Sequence, residues 1–251
     1  MRLIKADLHL HTCLSPCGEL EMSPTAVVER AAELGLALIA ITDHNSAENV
    51  AAAREAARRL GPAAPHVLAG LEVTTGEEAH MVVLFEDLSA ALTFQAMVYD
   101  HLQPGENDPD VFGLQVVANA DDEVEGFNPR LLIGATDLAV EEVVRRVHSL
   151  GGLAVAAHLD RPSYSLVGQL GLLPPDLPLD AVEISARSDP AAADAWLMGR
   201  QLTVLTSSDA HQLDMVGRVW SELELAEPCL AELALALAGA QGRGVRGWGR
   251  A

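Results

Sequence analysis

Short apolar runs alternate with longer amphipathic stretches along most of the chain, a pattern that predicts strands separated by helices. Leu3, Ile4, Ala6, Leu8 and Leu10 make the first run and predict a buried strand. Period two along it sets Asp7, His9 and His11 on one face. Ser23-Pro24 is a helix-start signal, with Ser as cap and Pro at the first helical position, and Gly35 ends that helix. Further strands are predicted over 36–42, 66–75, 80–85, 153–157, 180–185 and 202–206, with 219–225 as one more candidate. Helices are predicted from Ser46 to Gly61, over 87–101, over 138–150 with Asp137 as cap, over 190–200 and over 229–240. Between Gln103 and Glu125 the pattern degrades into Pro104, Gly105, Pro109, Gly113 and a run of acids, which predicts an insertion or lid at about 103–130. The tail, 242–251, is expected to be flexible.

The alternation argues for an α/β domain, 1–241, built on a parallel sheet or barrel. Hydrophobic residues make up 49% of the chain, enough to fill one large core, and no run reaches the ~18 apolar residues that a membrane span needs. The first strand starts at once, with no apolar leader and cleavage site before it, so a cytoplasmic protein is expected. Cys13, Cys17 and Cys229 are too few for a disulfide framework. The net charge of −20 opposes binding to a phosphate backbone, which depends on Lys and Arg. On that ground a long nucleic acid is not expected as a partner; a membrane is not expected either, for want of an apolar span.

The polar residues that follow the apolar runs change the picture most. His9, His11, His44, Glu72, His80, His158, Asp209 and His211 each stand at or near the end of a predicted strand, where parallel α/β barrels carry their chemistry. Six of the nine histidines fall in this set, a concentration that scattered surface residues would not give. Imidazoles and carboxylates converging at strand ends are ligands for divalent metal ions. Asp7 is a further ligand or a carboxylate that orients a histidine from behind. His66, His101 and His148 lack this context and read as ordinary surface residues.

Taken in order, Asp7-Leu8-His9-Leu10-His11-Thr12, Thr42-Asp43-His44, Gly70-Leu71-Glu72, His80, Ala157-His158 and Ser207-Ser208-Asp209-Ala210-His211 resemble the successive motifs of the PHP (polymerase and histidinol phosphatase) superfamily. The resemblance implies a distorted seven-stranded (β/α) barrel, TIM-barrel-like, with two or three divalent ions (zinc, manganese or iron) that hydrolyse phosphate esters. It also implies a division of ligands. His9, His11, Glu72 and Asp209 would hold a first ion, Glu72 would bridge to a second completed by His80 and His158, and His44 and His211 would bind a third. The chain departs from the family pattern after His11, where Cys17, Glu19 or Glu21 stands in for a missing ligand of the third ion. The expected mechanism is in-line attack on phosphorus by a metal-activated hydroxide. Asp160 is the candidate acid for the leaving group. Arg161 and Arg187 are the candidate phosphate-binding forks, with Arg218 third and Tyr164 and Ser165 in support. Glu183 reads as a strand-end carboxylate that serves a ligand or the substrate. The expected activity is a phosphoesterase for a small phosphorylated metabolite or nucleotide. The alternatives are an amide hydrolase on the same scaffold, or a regulatory metal-binding protein without activity.

Overall fold

A computed structural model describes residues 1–251. The elements run β1 (Arg2–Leu10), α1 (Pro24–Glu33), β2 (Leu36–Ile41), α2 (Val50–Leu60), β3 (His66–Thr74), β4 (His80–Phe85), α3 (Leu88–His101), α4 (Pro109–Phe112), β5 (Val116–Ala118), β6 (Val124–Phe127), α5 (Val140–Ser149), β7 (Leu153–Ala156), α6 (Leu166–Leu170), β8 (Ala181–Ile184), α7 (Asp194–Leu197), β9 (Val204–Thr206), β10 (Val219–Leu225), α8 (Leu230–Leu237) and β11 (Gly244–Arg250). Nine strands form one sheet in the order β11-β10-β1-β2-β3-β4-β7-β8-β9. The seven strands read from the sequence lie side by side in it, and β10 and β11 extend its edge. The count is therefore nine, not seven. The sheet is also mixed, because β4 runs antiparallel to both β3 and β7 and β10 runs antiparallel to β1.

The sheet curls until its two ends meet. Closure there uses side chains where no backbone ladder forms: Ser221 Oγ accepts from the Thr206 amide at 2.9 Å and donates to its carbonyl at 2.9 Å, and the Trp248 indole N–H donates to the Val204 carbonyl at 3.3 Å. Inside the barrel, Ile4, Ala6, Leu8, Leu38, Leu68 and Val82 pack with the apolar face of α8. A larger apolar layer fills the space between the outer sheet face and the surrounding helices. No helix is long and apolar enough to cross a membrane.

Local chemistry sets the helix ends. Ser23 Oγ accepts from the Ala26 amide at 3.1 Å, the cap that its sequence predicts for α1. At α5 the expected cap, Asp137, instead bonds His101 at 2.6 Å, and Glu77 accepts from the first helical amide, Val140. The expected helix over 190–200 shrinks to a single turn and α7, with Met198 and Gly199 in left-handed backbone.

One expectation is corrected: the tail is not loose, since Gly244–Arg250 pairs with β10. The insertion is tied to the barrel mouth at β5, and the segment that follows it is tied as well. Asn49 ties β5, accepting from the Ala118 amide at 3.0 Å and donating to the Val116 carbonyl at 3.1 Å, and Asn45 Nδ2 donates to the carbonyls of Leu132 and Gly134.

Candidate metal centre

The ladder between β1 and β2 slips between Asp7 and Leu10, inserting one residue into β1. This bulge re-aims the strand end, as bulges beside functional sites do. Asp7 is thereby separated from the two histidines. Its carboxylate accepts from the amides of Ser208 and Gly217, both at 3.0 Å, so it fastens two loops and reaches no ligand. Burial pushes this carboxyl up to about 6.

His9 and His11 turn inward towards Glu72 at the mouth end of β3. Glu72 is the centre of the site. Its Oε1 lies 2.8 Å from His80 Nδ1, 3.1 Å from His158 Nε2 and 3.3 Å from His9 Nε2. Its Oε2 lies 3.1 Å from His44 Nδ1 and 3.4 Å from His11 Nε2. Asp209 Oδ1 stands 3.1 Å from His11 Nε2 and 3.4 Å from His9 Nε2. Three overlapping groups have the spacing of metal ligands: His9, His11, Glu72 and Asp209; His44, Glu72 and His80; and His11, His44 and His211. His158 reaches the cluster through Glu72 alone, and its Nδ1 is buried without a partner.

A set of outer contacts orients these rings. Glu183 accepts from His9 Nδ1 at 3.0 Å and from the His158 amide at 3.2 Å. Ser15 Oγ donates to Asp43 Oδ1 at 2.7 Å and lies 2.8 Å from His11 Nδ1. The hydroxyl has one hydrogen, already given to Asp43, so His11 Nδ1 is the donor of the second bond and Nε2 faces the cluster. The His44 amide donates to the same Ser15 oxygen at 3.1 Å. Asp43 is fixed in turn by the amide and hydroxyl of Thr12. His211 Nδ1 donates to the Asp209 carbonyl at 2.9 Å, and its ring stacks on His11 at 4.1 Å.

Backbone strain gathers at the same mouth. Asn45, His158, Tyr164 and Asp209 all sit at φ between 28° and 59°, left-handed backbone that L side chains rarely adopt. Asn45 is held there by the Thr74 amide, which donates to its Oδ1 at 3.1 Å.

The electrostatics call for cations. Burial favours neutral imidazoles, yet the carboxylates of Asp209 and Glu72 outweigh it and raise His11 to about 9. Burial is likewise outweighed at His9, which Glu183, Glu72 and Asp209 raise well above its usual range. The rings further from these carboxylates go the other way: burial and the charge on His11 depress His211 to about 4, and burial holds His44 well below its ordinary value. Protonated His9 and His11 thus supply the positive charge that two buried carboxylates require. Divalent ions would displace those protons, and His44 Nδ1, 3.1 Å from Glu72 Oε2 but outside hydrogen-bond geometry, would be a further donor to them.

Over the cluster opens a cleft of about 150 Å³ lined by His44, His80, Arg161, Tyr164, His211 and Ile133, the last from the segment just after the insertion. Arg161 Nη2 donates to Asp209 Oδ2, and its Nε is buried without a partner. Tyr164 stacks on His80, with ring centres 4.7 Å apart.

Three expected site residues lie elsewhere. Asp160 accepts from the Ser185 amide at 2.8 Å and its hydroxyl at 2.7 Å. Burial raises its carboxyl, but these bonds outweigh it and hold it below the usual range, so it is an ionised loop fastener with no proton to give. Cys17 belongs to none of the ligand groups, although the charges of Glu72 and Asp209 reach its thiol and, with burial, push it up to about 12; Glu19, bonded to Gln212, and Glu21 also lie outside those groups. Arg187 lines a separate depression beside the site. Conversely, Ser15 emerges as an orienting group that no motif announces, and Asp43, inside the Thr42-Asp43-His44 motif, as its acceptor.

Two family models match: the PHP domain over residues 7–110 and the PHP-associated region over 191–240. Among curated relatives, YqxK, an uncharacterized protein of Bacillus subtilis, is 33% identical over 105 residues, 39% of this chain and 27% of its own. The 5'-3' exoribonuclease Rnm of Escherichia coli is 26% identical over 200 residues, 63% of this chain and 67% of its own. Among solved structures, endonuclease Q of Pyrococcus furiosus superposes with a TM-score of 0.71 at 20% identity, covering 97% of this chain and 58% of that one. Endonuclease Q has also been solved with a 27-mer duplex carrying an abasic lesion at its active site. The matched region therefore spans 27% of the first curated relative and little more than half of endonuclease Q.

These relatives overturn the exclusion of a long nucleic acid. The exclusion rested on a charge summed over the whole surface, whereas a phosphate backbone meets a local field. At this mouth that field is set by arginines and by whatever cations the carboxylates hold.

Proposed function

We propose that the chain, matched by the PHP-domain model over residues 7–110, is a metal-dependent phosphoesterase of the nuclease kind, hydrolysing phosphodiester bonds of nucleic acid at the Glu72 cluster. The observation that carries the substrate class is the similarity to exoribonuclease Rnm across 200 residues. We assign His9, His11, Glu72 and Asp209 to a first divalent ion, Glu72, His80 and His158 to a second, and His44 and His211 to a third. Zinc, manganese and iron all suit imidazole and carboxylate donors. Such ions supply an activated water near neutral pH and neutralise charge on the phosphoryl oxygens.

The chain's own residues do the rest. Glu183 and the Ser15–Asp43 pair fix the rings of His9 and His11 before anything binds, which spares the site that reorganisation. Arg161 lines the cleft beside His80 and offers its guanidinium to the phosphoryl oxygens. Tyr164 lies flat on His80, fixes that ring, and shields one wall from water while Ile133 closes the other. A cleft of about 150 Å³ is smaller than the ~300–1,000 Å³ of pockets that enclose a whole small ligand. It suits one phosphate, with the flanking chain lying outside along the rim.

The test is to incubate metal-reconstituted protein with end-labelled single-stranded RNA, single-stranded DNA, duplexes and bis(p-nitrophenyl) phosphate, with Asp209→Asn as control. Metal-dependent shortening of a nucleic acid, absent in the variant, is expected. Hydrolysis confined to the small ester would overturn the nuclease reading.

A further inference from the structure

We propose that the barrel rim next to the cleft carries a track for a single strand of nucleic acid, with Arg187 and Arg250 gripping its phosphates and Trp248 stacking a base. The proposal rests on the nuclease reading above. Arg187, Ser188, Asp189, Thr206, Trp248 and Arg250 line a depression of about 440 Å³. It adjoins the metal centre by two chain connections. Thr206 runs directly into the Ser207–His211 segment that carries Asp209, and Arg187 lies on the loop after β8, just past the Glu183 that holds His9.

Charge at this rim is locally unbalanced. In a chain of net charge −20, many surface arginines pair with acids where they stand: Arg58 and Arg59 with Glu55, Arg145 and Arg146 with Glu142, Arg243 with Glu232. Arg187 and Arg250 have no carboxylate partner. Arg250 is steered by one bond, from Nη2 to the Ala186 carbonyl, which sets it beside Arg187 and leaves its other N–H groups for an acceptor. Arg218, also exposed and without an acidic partner, is next to them, its carbonyl accepting from the Ala251 amide. The one carboxylate in the depression, Asp189, accepts from the Ala191 amide at 2.9 Å. Guanidinium forks without carboxylates are suited to phosphate, the one abundant anion that this reaction brings to the rim.

The aromatic element stands in register with them. Trp248 and Arg250 share the outward face of β11, about 7 Å apart at two strand rises. The intervening glycine keeps the strand close to its neighbour: a Cβ at Gly249 would stand 2.0 Å from the Trp220 ring. The bond to Val204 fixes the indole while 39% of Trp248 stays exposed, which gives a rigid stacking platform. Barrel closure alone accounts for that bond but not for the unpaired arginines gathered beside it at the end of β11. Cations beside an exposed aromatic ring are the features with which proteins hold single strands without reading sequence.

The test compares KM for a long single-stranded oligonucleotide with KM for a dinucleotide, which spans the cleft but not the track, using metal-loaded enzyme. Wild type should prefer the long strand. Arg187→Gln and Trp248→Ala should each reduce that preference about tenfold, and the arginine variant should also make the salt dependence of KM shallower by about 0.7 in log–log slope. Arg187 lies on a loop outside the β11 contacts, so its variant carries the test even if Trp248→Ala opens the barrel. If wild type cleaves both substrates and the variants leave the preference and slope unchanged, the track is wrong and the nuclease reading stands. If wild type cleaves only bis(p-nitrophenyl) phosphate, both fall.

Discussion

Replacing Ser15 by alanine should damage both the fold and the metal centre, although Ser15 touches no ion in the proposed assignment. Its hydroxyl is the meeting point of three bonds: it donates to Asp43 and accepts from His11 Nδ1 and the His44 amide. All four residues are buried. In Ser15→Ala, His11 Nδ1–H and His44 N–H lose their acceptor, and Asp43 keeps only its two bonds from Thr12. Each buried donor left unpaired costs roughly 1–3 kcal/mol, so the metal-free protein should lose about 2–6 kcal/mol. Losing a group that orients a ligand typically lowers metal affinity by ~10–100-fold. Urea denaturation of chelator-treated protein reads the first effect, and competition with a calibrated chelator reads the second. A midpoint and an affinity both unchanged in Ser15→Ala would refute the claim that this hydroxyl sets the His11 ring.

Glu183→Gln should lower metal affinity ~10–100-fold through His9, measured by the same competition, while the fold's circular dichroism is retained. Gly70→Ala should destabilise the barrel by about 1–3 kcal/mol in urea, because its Cβ would meet the Val83 carbonyl at 2.8 Å and the Thr42 methyl at 2.7 Å. Alkylation at pH 8 should be slow at both Cys13 and Cys17 until the chain unfolds, because burial, aided by the charge of Asp43 at Cys13 and of Glu72 and Asp209 at Cys17, pushes each thiol up to about 12 and leaves almost no thiolate at that pH.

The residues of the cluster were more legible in the sequence than the groups that orient them. Glu72 and the six histidines follow apolar runs, and period and strand-end position suffice to collect them. The motif order suggested the fold by resemblance. Three physical effects escaped that reading. The bulge in β1 separates Asp7 from His9, and nothing in an alternating run marks where an extra residue will be inserted. Asp160 and Arg187 follow strands just as the cluster residues do, but Asp160 turns to Ser185 and Arg187 lines the separate depression beside β11. Gly244–Arg250 reads as a frayed tail because its glycines lower strand propensity. Pairing with β10, and the room that Gly249 leaves for Trp220, make it a strand. Net charge misled most, since it averages over carboxylates that cations compensate and over helices far from the mouth.

The central claim is that the carboxylate–imidazole cluster acts by holding divalent ions. The most direct measurement adds manganese stepwise to chelator-treated protein and follows both bound metal and the rate of oligonucleotide cleavage. The rate should be nil without metal, rise as the sites fill and level off at two or three ions per chain. In Asp209→Asn both occupancy and rate should drop. Cleavage that persists in chelator, or full occupancy with no cleavage of any phosphodiester, would contradict the account.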